Sequence, residues 1–132
     1  MGNEQYSIEF FFKALADRTR LRILNLIDKD EICVCSLVEV LNVLQPKISR
    51  HLAYLRRARI VVARREGKLM YYRIIEPPDA HAAIIFHEVC ASLTYDPEMN
   101  RDRARLSELC CTTKQPLSLS KAPRPLTLAQ RT

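Results

Sequence analysis

The sequence lacks the features that mark several classes of protein. Its apolar runs are only a few residues long, whereas a helix needs about 20 apolar residues to span a bilayer, so we expect no membrane association. The first residues, MGNEQYSIEFFFK, do not have the basic stretch and apolar core of a secretory signal. The Cys-x-x-Cys motif of thiol redox enzymes is absent as well. We therefore expect a cytoplasmic protein.

What is present describes a small folded domain with an excess of positive charge. The 132 residues fit one domain, and 48% hydrophobic with 27% charged residues is typical of a globular chain. A formal net charge of +6 favours a polyanionic partner. An odd number of cysteines in a protein expected to be cytoplasmic argues against a disulfide framework and for thiols with a chemical role. These cysteines are Cys33, Cys35, Cys90, Cys110 and Cys111.

Helical periodicity covers most of the first 58 residues. Asp17 is a candidate N-cap between two helices, and Ser36 with Glu39 has the form of a capping box. Pro46 suits the first turn of another helix. We expect helices over about 7–16, 18–29, 36–42 and 46–58. The last two are joined by so short a turn that they predict a helix-turn-helix unit.

A strand-like pattern follows from Ile60 to Ile75, with a turn at Glu66-Gly67 where glycine supplies a positive φ. Further helices are expected at 79–94 and 98–111. A helix-turn-helix unit followed by a basic hairpin predicts a mainly α fold with a β-hairpin wing, that is, a winged helix-turn-helix. We expect a DNA-binding and dimerisation domain at 1–95, a C-terminal helix at 96–111 and a disordered basic tail at 112–132.

The 46–58 helix and the hairpin predict a surface that binds double-stranded DNA. Polar side chains in the N-terminal half of a recognition helix face base edges, whereas arginines beyond them and on the wing suit phosphates. A solvated basic helix face is the alternative, but charge concentrated on two neighbouring elements favours DNA. The predicted DNA-binding residues are Gln45, Lys47, Ser49, Arg50, His51, Tyr54, Arg57, Arg64, Arg65 and Lys68.

Four motifs resemble the ArsR/SmtB family of metalloregulatory repressors, and the resemblance covers roughly residues 8–95. They are FKALADRTRLRIL (12–24), ICVCSL (32–37), QPKISRHLAYLRRARIV (45–61) and RREGKLMYYRI (64–74). The resemblance implies a dimeric winged helix that binds operator DNA when empty and releases it when a metal or metalloid binds. The chain departs from the family pattern at Leu44 (usually Ser), Arg59 (usually Gly) and Leu69 (often aromatic). We expect the first change to cost the recognition helix its cap.

Cys33 and Cys35 form the first candidate metal site. In an extended segment two such side chains point the same way, whereas on a regular helix they lie roughly 200° apart and cannot share an ion. Two thiolates on one thiophilic ion therefore favour a non-helical Cys-Val-Cys segment. A ligand that unwinds this turn has a physical route to the recognition helix.

A third sulfur is missing where arsenic sensors of this family often have one, because position 38 is Val38. Cys110 and Cys111 are candidates to complete the site or to form a second one, and Cys90 is expected in the core. The family's zinc site is broken, since Asp79 and His81 match its first half while Ser92 and Tyr95 stand at its later positions.

These observations predict a homodimeric repressor whose inducer is trivalent arsenic or antimony. The inducer would be held by Cys33 and Cys35, with Cys110 and Cys111 as further ligands. Three alternatives stay open: a repressor that responds to cadmium or lead, a repressor switched by a disulfide between Cys33 and Cys35, and a thiol enzyme that uses Cys110 and Cys111. The last leaves the basic surface without a purpose.

Overall fold

The computed structural model describes residues 6–112, and for residues 110–112 it describes the backbone alone. Within this part of the chain, helices and strands follow in the order α1 (Ile8–Leu15), α2 (Arg18–Ile27), β1 (Ile32–Cys33), α3 (Val34–Leu41), α4 (Gln45–Arg57), β2 (Val61–Glu66), β3 (Leu69–Ile74), α5 (Ala80–Leu93) and α6 (Pro97–Thr112). The basic tail predicted from residue 112 onward lies outside the described residues, except that Thr112 ends α6. No helix between residues 6 and 112 is both long and apolar enough to cross a membrane.

The predicted winged helix-turn-helix is confirmed. Strands β2 and β3 form the antiparallel wing, in which Val61 pairs with Ile74 and Glu66 with Leu69. Gly67 in the turn has φ +65°, the left-handed region that favours glycine. The short strand β1, which the sequence pattern did not predict, pairs with β3 and gives the sheet the order β1-β3-β2.

A continuous apolar core joins the first four helices to the sheet. Phe11 of α1, Leu24 of α2 and Leu37 of α3 are buried together with the apolar stripe of α4. That stripe consists of Ile48, Leu52 and Leu55, which are completely buried. Because three residues at helical spacing occupy one side of α4, its opposite side is left facing solvent.

Helix α6 packs against α2 and α3 rather than standing apart from the domain. The guanidinium of Arg22 donates to both carboxylate oxygens of Asp102 at 2.8 and 2.9 Å. At the other end of the contact, Arg18 lies 2.8 Å from both Asp96 and Glu98. The hydrogen bond to Arg18 lowers the pKa of the Asp96 carboxyl. The boundary predicted between residues 95 and 96 therefore separates two elements of one packed unit.

Helix α3 begins two residues earlier than the capping box predicts. Cys33 is its N-cap, and the Sγ atom of Cys33 accepts a hydrogen bond from the Cys35 amide at 3.3 Å. Ser36 lies inside the helix and is buried, so the prediction that it caps the helix was wrong. Asp17 does cap α2, since its carboxylate accepts from the Arg20 amide at 3.1 Å.

We predict that Arg59→Gly stabilises the fold relative to Arg59→Ala. Arg59 follows α4 with φ 62°, a conformation that costs a residue with a Cβ about 1 kcal/mol relative to glycine. Both substitutions remove the arginine side chain, so the difference between them isolates the backbone. Urea unfolding should show the glycine variant about 1 kcal/mol more stable. Equal stabilities would mean that the left-handed conformation carries no strain here.

Candidate DNA-binding surface and thiol site

The exposed face of α4 begins at the N-terminus of the helix. The apolar stripe turns this face outward, and four of the predicted DNA-binding residues are exposed there, namely Gln45, Lys47, Ser49 and Arg50. Arg57 is exposed at the other end of the same helix. The structure therefore places these predicted residues where a DNA groove has access to them.

His51 and Tyr54 are only half exposed and contact the neighbouring helices. The Tyr54 ring stacks on Phe10 of α1, with ring centroids 4.7 Å apart. The Nδ1 atom of His51 lies 3.2 Å from the guanidinium of Arg20, and burial lowers the pKa of the His51 imidazole. Their predicted contacts with DNA stay predictions, but both side chains also hold α4 against the domain.

Arg20 is a residue of this surface that the sequence reasoning missed. Its guanidinium lies 4.1 Å from the centroid of the Tyr54 ring and donates to the carbonyl groups of Ala14 and Lys13 at 2.7 and 3.0 Å. Only 11% of the side chain is exposed. One signal was available in the sequence: His51 stands three residues after Ile48 and so lies beside the buried stripe of α4, where a neighbouring helix has access to it.

The basic side chains of the wing differ in how available they are to bind DNA. Arg64 donates to Glu31 at 2.8 and 2.9 Å and to Glu66 at 2.8 Å, and its guanidinium lies 4.8 Å from the centroid of the Tyr71 ring. Arg65 and Lys68 are exposed nearer the turn. Because its guanidinium already contacts carboxylates, Arg64 has fewer donors to offer a phosphate than an unpaired arginine would have.

Cys33 and Cys35 lie where β1 passes into α3. Cys33 is extended, with φ −78° and ψ 142°, whereas Val34 and Cys35 are the first two residues of the helix. Each thiol is the largest influence on the pKa of the other. The expected non-helical segment is thus limited to Cys33, and Cys35 lies in the first turn of the helix that Cys33 caps.

The surroundings of Cys33 favour its thiolate. A hydrogen bond from the Cys35 thiol, opposed by burial and supported by the amides of Cys35 and Ser36, lowers the pKa of Cys33 to about 6. The pKa of Cys35 is raised in turn, first by its hydrogen bond to Cys33 and then by burial. Cys33 is buried and Cys35 is exposed, so one sulfur is accessible from solvent. A pair of sulfur donors in this position suits a thiophilic ion.

The remaining candidates for ligands are dispersed. Cys90 on α5 is partly buried, and burial raises its pKa to about 11. The side chains of Cys110 and Cys111 lie outside the described residues, so their predicted role stays a prediction. Asp79 caps α5 by accepting from the Ala82 amide at 3.0 Å. Among the side chains that the structure describes, no three His, Cys, Asp or Glu residues are grouped so that they could hold a metal ion.

A buried apolar stripe, an exposed basic recognition helix and an adjacent antiparallel hairpin define a DNA-binding protein of the winged helix-turn-helix class. Comparison with known proteins narrows this class. Residues 17–62 match the family described as "Bacterial regulatory protein, arsR family". The chain is 47% identical to the arsenical resistance operon repressor of Escherichia coli K12, over 58% of this chain and 67% of that protein. The chain belongs to the ArsR family.

Two further relatives extend the comparison. Arsenic resistance transcriptional regulator ArsR1 of Pseudomonas putida is 55% identical over 48% of this chain, and the match spans half of that protein's length. A homodimeric winged helix-turn-helix domain of Mycobacterium bovis, Mb0332, superposes with a TM-score of 0.53 at 31% identity. That match covers 67% of this chain and 82% of the domain. The two relatives named for arsenic resistance are a transcriptional regulator and an operon repressor, and the matching family is one of regulatory proteins.

We predict that Arg50→Ala and Lys68→Ala weaken DNA binding in different ways. Arg50 lies on the exposed face of α4 and is expected to read a base, so its loss should cost more than about 1 kcal/mol on the preferred sequence and little on random DNA. Lys68 on the wing should contact phosphate, so its loss should weaken binding to the preferred sequence and to random DNA alike. It should also reduce the slope of log affinity against log salt concentration by about 1. Fluorescence anisotropy at several salt concentrations distinguishes the two. An Arg50 variant with unchanged sequence preference would contradict its role in reading bases.

Proposed function

We propose that this protein is a homodimeric transcriptional repressor that acts in the cytoplasm and releases its operator when trivalent arsenic or antimony binds to Cys33 and Cys35. The observation that carries the proposal is the position of this thiol pair at the N-terminus of α3, the helix that packs directly against α4. Similarity to regulators of arsenic resistance supports the choice of inducer. Cys110 and Cys111 are retained as candidate ligands.

The thiol pair fits a soft ligand by its donor set. Sulfur donors select thiophilic ions over the harder ions that carboxylate and imidazole sites prefer. Cys33 has the lowered pKa that a ligand thiolate needs, and Cys35 presents its side chain to solvent. Two sulfurs leave a three-sulfur coordination incomplete, which is why a contribution from the C-terminal pair belongs to the proposal.

Ligand binding at Cys33 and Cys35 would disturb the start of α3. The Sγ atom of Cys33 caps the helix by accepting the hydrogen bond of the Cys35 amide, and drawing both sulfurs onto one ion would move Cys35 within the first turn. Leu37 and Val40 of α3 are completely or almost completely buried, and their helix contacts α4. A displaced first turn of α3 would therefore shift the helix that reads DNA. A ligand releases DNA only if it binds the free protein more tightly than the DNA-bound protein, and the displaced first turn would provide that difference in affinity.

The homodimer is argued from apolar side chains that the described chain leaves exposed. Ile8 and Phe12 on α1 and Ile84 on α5 are 37%, 47% and 63% exposed. Phe11 and Phe86, with ring centroids 6.4 Å apart, hold these two helices in one surface. A twofold axis through that surface would cover the apolar side chains and present two recognition helices to successive major grooves.

The inducer site is tested with serine variants of Cys33 and Cys35. Serine is a good N-cap, so Cys33→Ser should keep α3 folded and change affinity for DNA by less than about 0.5 kcal/mol. Binding is measured by anisotropy on a duplex selected by the protein from a random pool, with arsenite, antimonite, cadmium and zinc as titrants. Either variant should bind DNA and fail to release it on addition of arsenite or antimonite.

Two further variants complete this experiment. Cys90→Ala serves as the matched control and should respond like the wild type, whereas a double serine variant of Cys110 and Cys111 should respond more weakly without losing release. If the double serine variant of Cys33 and Cys35 still releases DNA at the wild-type arsenite concentration, the sensing site lies elsewhere. Release by cadmium but not by arsenite would favour the divalent-metal alternative.

The dimer is tested with Ile84→Glu. A carboxylate in the proposed interface would be desolvated without a partner, so the variant should sediment as a monomer at micromolar concentration while the wild type sediments as a dimer. Leu69→Glu is the control, because Leu69 is 39% exposed on the wing, away from α1 and α5. A wild-type monomer that binds its selected duplex tightly would contradict the homodimer.

A further inference from the structure

Leu44 is an exposed leucine at the N-terminus of the recognition helix. It is 78% exposed, more than any other large aliphatic residue of the described chain. The other strongly exposed aliphatic side chain, Ile84, belongs to the surface already assigned to the dimer. A single exposed leucine is common on protein surfaces and by itself indicates nothing, so what matters is where this one lies.

The position does not require a polar cap. Leu44 is the N-cap of α4 and makes no side-chain hydrogen bond to the helix. A capping side chain would bind the amides of the second and third helical residues. The second is Pro46, which has no amide hydrogen, and the third is Lys47, whose amide already donates to the Leu44 carbonyl at 3.0 Å. A polar side chain at position 44 would therefore find few free amides to bind, so α4 loses little by having a leucine there.

The neighbours of Leu44 are the residues predicted to read bases. Gln45, Lys47 and Arg50 are all exposed, and the N-terminal residues of a recognition helix point at base edges in the major groove. A leucine among them has no donor or acceptor to offer. Of the features that base pairs present in the major groove, the C5 methyl group of thymine is the one that an apolar side chain contacts favourably.

We propose that Leu44 is a specificity-determining residue that selects thymine at one position of the operator by packing against its C5 methyl group. The inference rests on the proposed function in so far as α4 must enter the major groove. It adds a base preference that the polar residues of α4 do not supply. The operator should therefore carry a thymine at the base pair that Leu44 contacts. The thymine should be on the strand whose methyl group faces Leu44.

The experiment removes the methyl group from the DNA and the leucine from the protein, separately and together. A consensus duplex is first selected by the wild-type chain from a random pool, and each thymine is then replaced singly by uracil, which pairs in the same way but lacks the methyl group. Binding is measured by anisotropy at fixed salt. At one thymine of the consensus half-site, uracil should weaken wild-type binding about three- to tenfold.

Leu44→Ala should abolish that particular penalty. The variant should bind the thymine and uracil duplexes within about twofold of each other, while uracil penalties at other positions stay as in the wild type. Leu69→Ala is the matched control, because it also removes an exposed leucine, here from the wing, and should keep the full penalty. Thermal unfolding should be unchanged in Leu44→Ala, since the side chain is exposed and does not cap the helix.

Two results would overturn the inference, and they are distinguishable from each other. A clear consensus whose uracil penalties are the same in the wild type and in Leu44→Ala would contradict the role of Leu44 and leave the proposed repressor intact. A random pool that yields no consensus would contradict the proposed function and the inference with it. A penalty lost only in Leu44→Ala supports the contact with thymine.

Discussion

The join between the small sheet and the helix-turn-helix unit is made at Cys33. As the last residue of β1 it pairs with Tyr71 in the central strand of the sheet, and as the N-cap of α3 it accepts the Cys35 amide on its sulfur. Cys33 therefore belongs at once to the sheet that carries the wing and to the start of the helix-turn-helix unit. Whatever displaces Cys33 acts on β3 through the strand pairing and on α4 through α3, so both proposed DNA-binding elements depend on this residue.

A second constraint fixes the direction in which α4 faces. Its apolar stripe fills the core, but a stripe alone permits rotation and sliding of a helix. Arg20 limits this freedom because its guanidinium contacts the backbone carbonyls of Lys13 and Ala14 in α1. The same guanidinium contacts the rings of His51 and Tyr54 in α4. The directional contacts of one largely buried cation thus orient the exposed face of the recognition helix.

Much of this architecture could be predicted from the sequence, because it depends on local pattern. The apolar stripe of α4, the cap at Asp17 and the turn at Gly67 each follow from residues close together in the chain, and the structure confirms all three. The start of α3 was predicted wrongly because Ser36 and Glu39 have the form of a capping box, whereas pairing of β1 with a strand almost 40 residues away extends the backbone at Cys33.

The parts of the candidate site that the sequence could not provide are the tertiary contacts of its charged residues. Arg20 and Arg64 look alike in a sequence rich in arginine, yet Arg20 is largely covered by the recognition helix and Arg64 is paired with Glu31 and Glu66. No local pattern distinguishes them, since their partners lie on other elements. The residues proposed to bind DNA were predicted from their position on the helix, whereas their exposure could be learned only from the fold.

The distribution of charge follows from the same contacts. Residues 45–65 contain one lysine, six arginines and no acidic residue, whereas Arg18 and Arg22 of α2 face carboxylates in and just before α6. Pairing Arg18 and Arg22 with Asp96, Glu98 and Asp102 neutralises positive charge on the side of the domain where α6 lies. Among the residues that the structure describes, the excess of positive charge is therefore weighted toward α4 and the wing, and a polyanion approaching this side meets an attractive field at the exposed residues of α4.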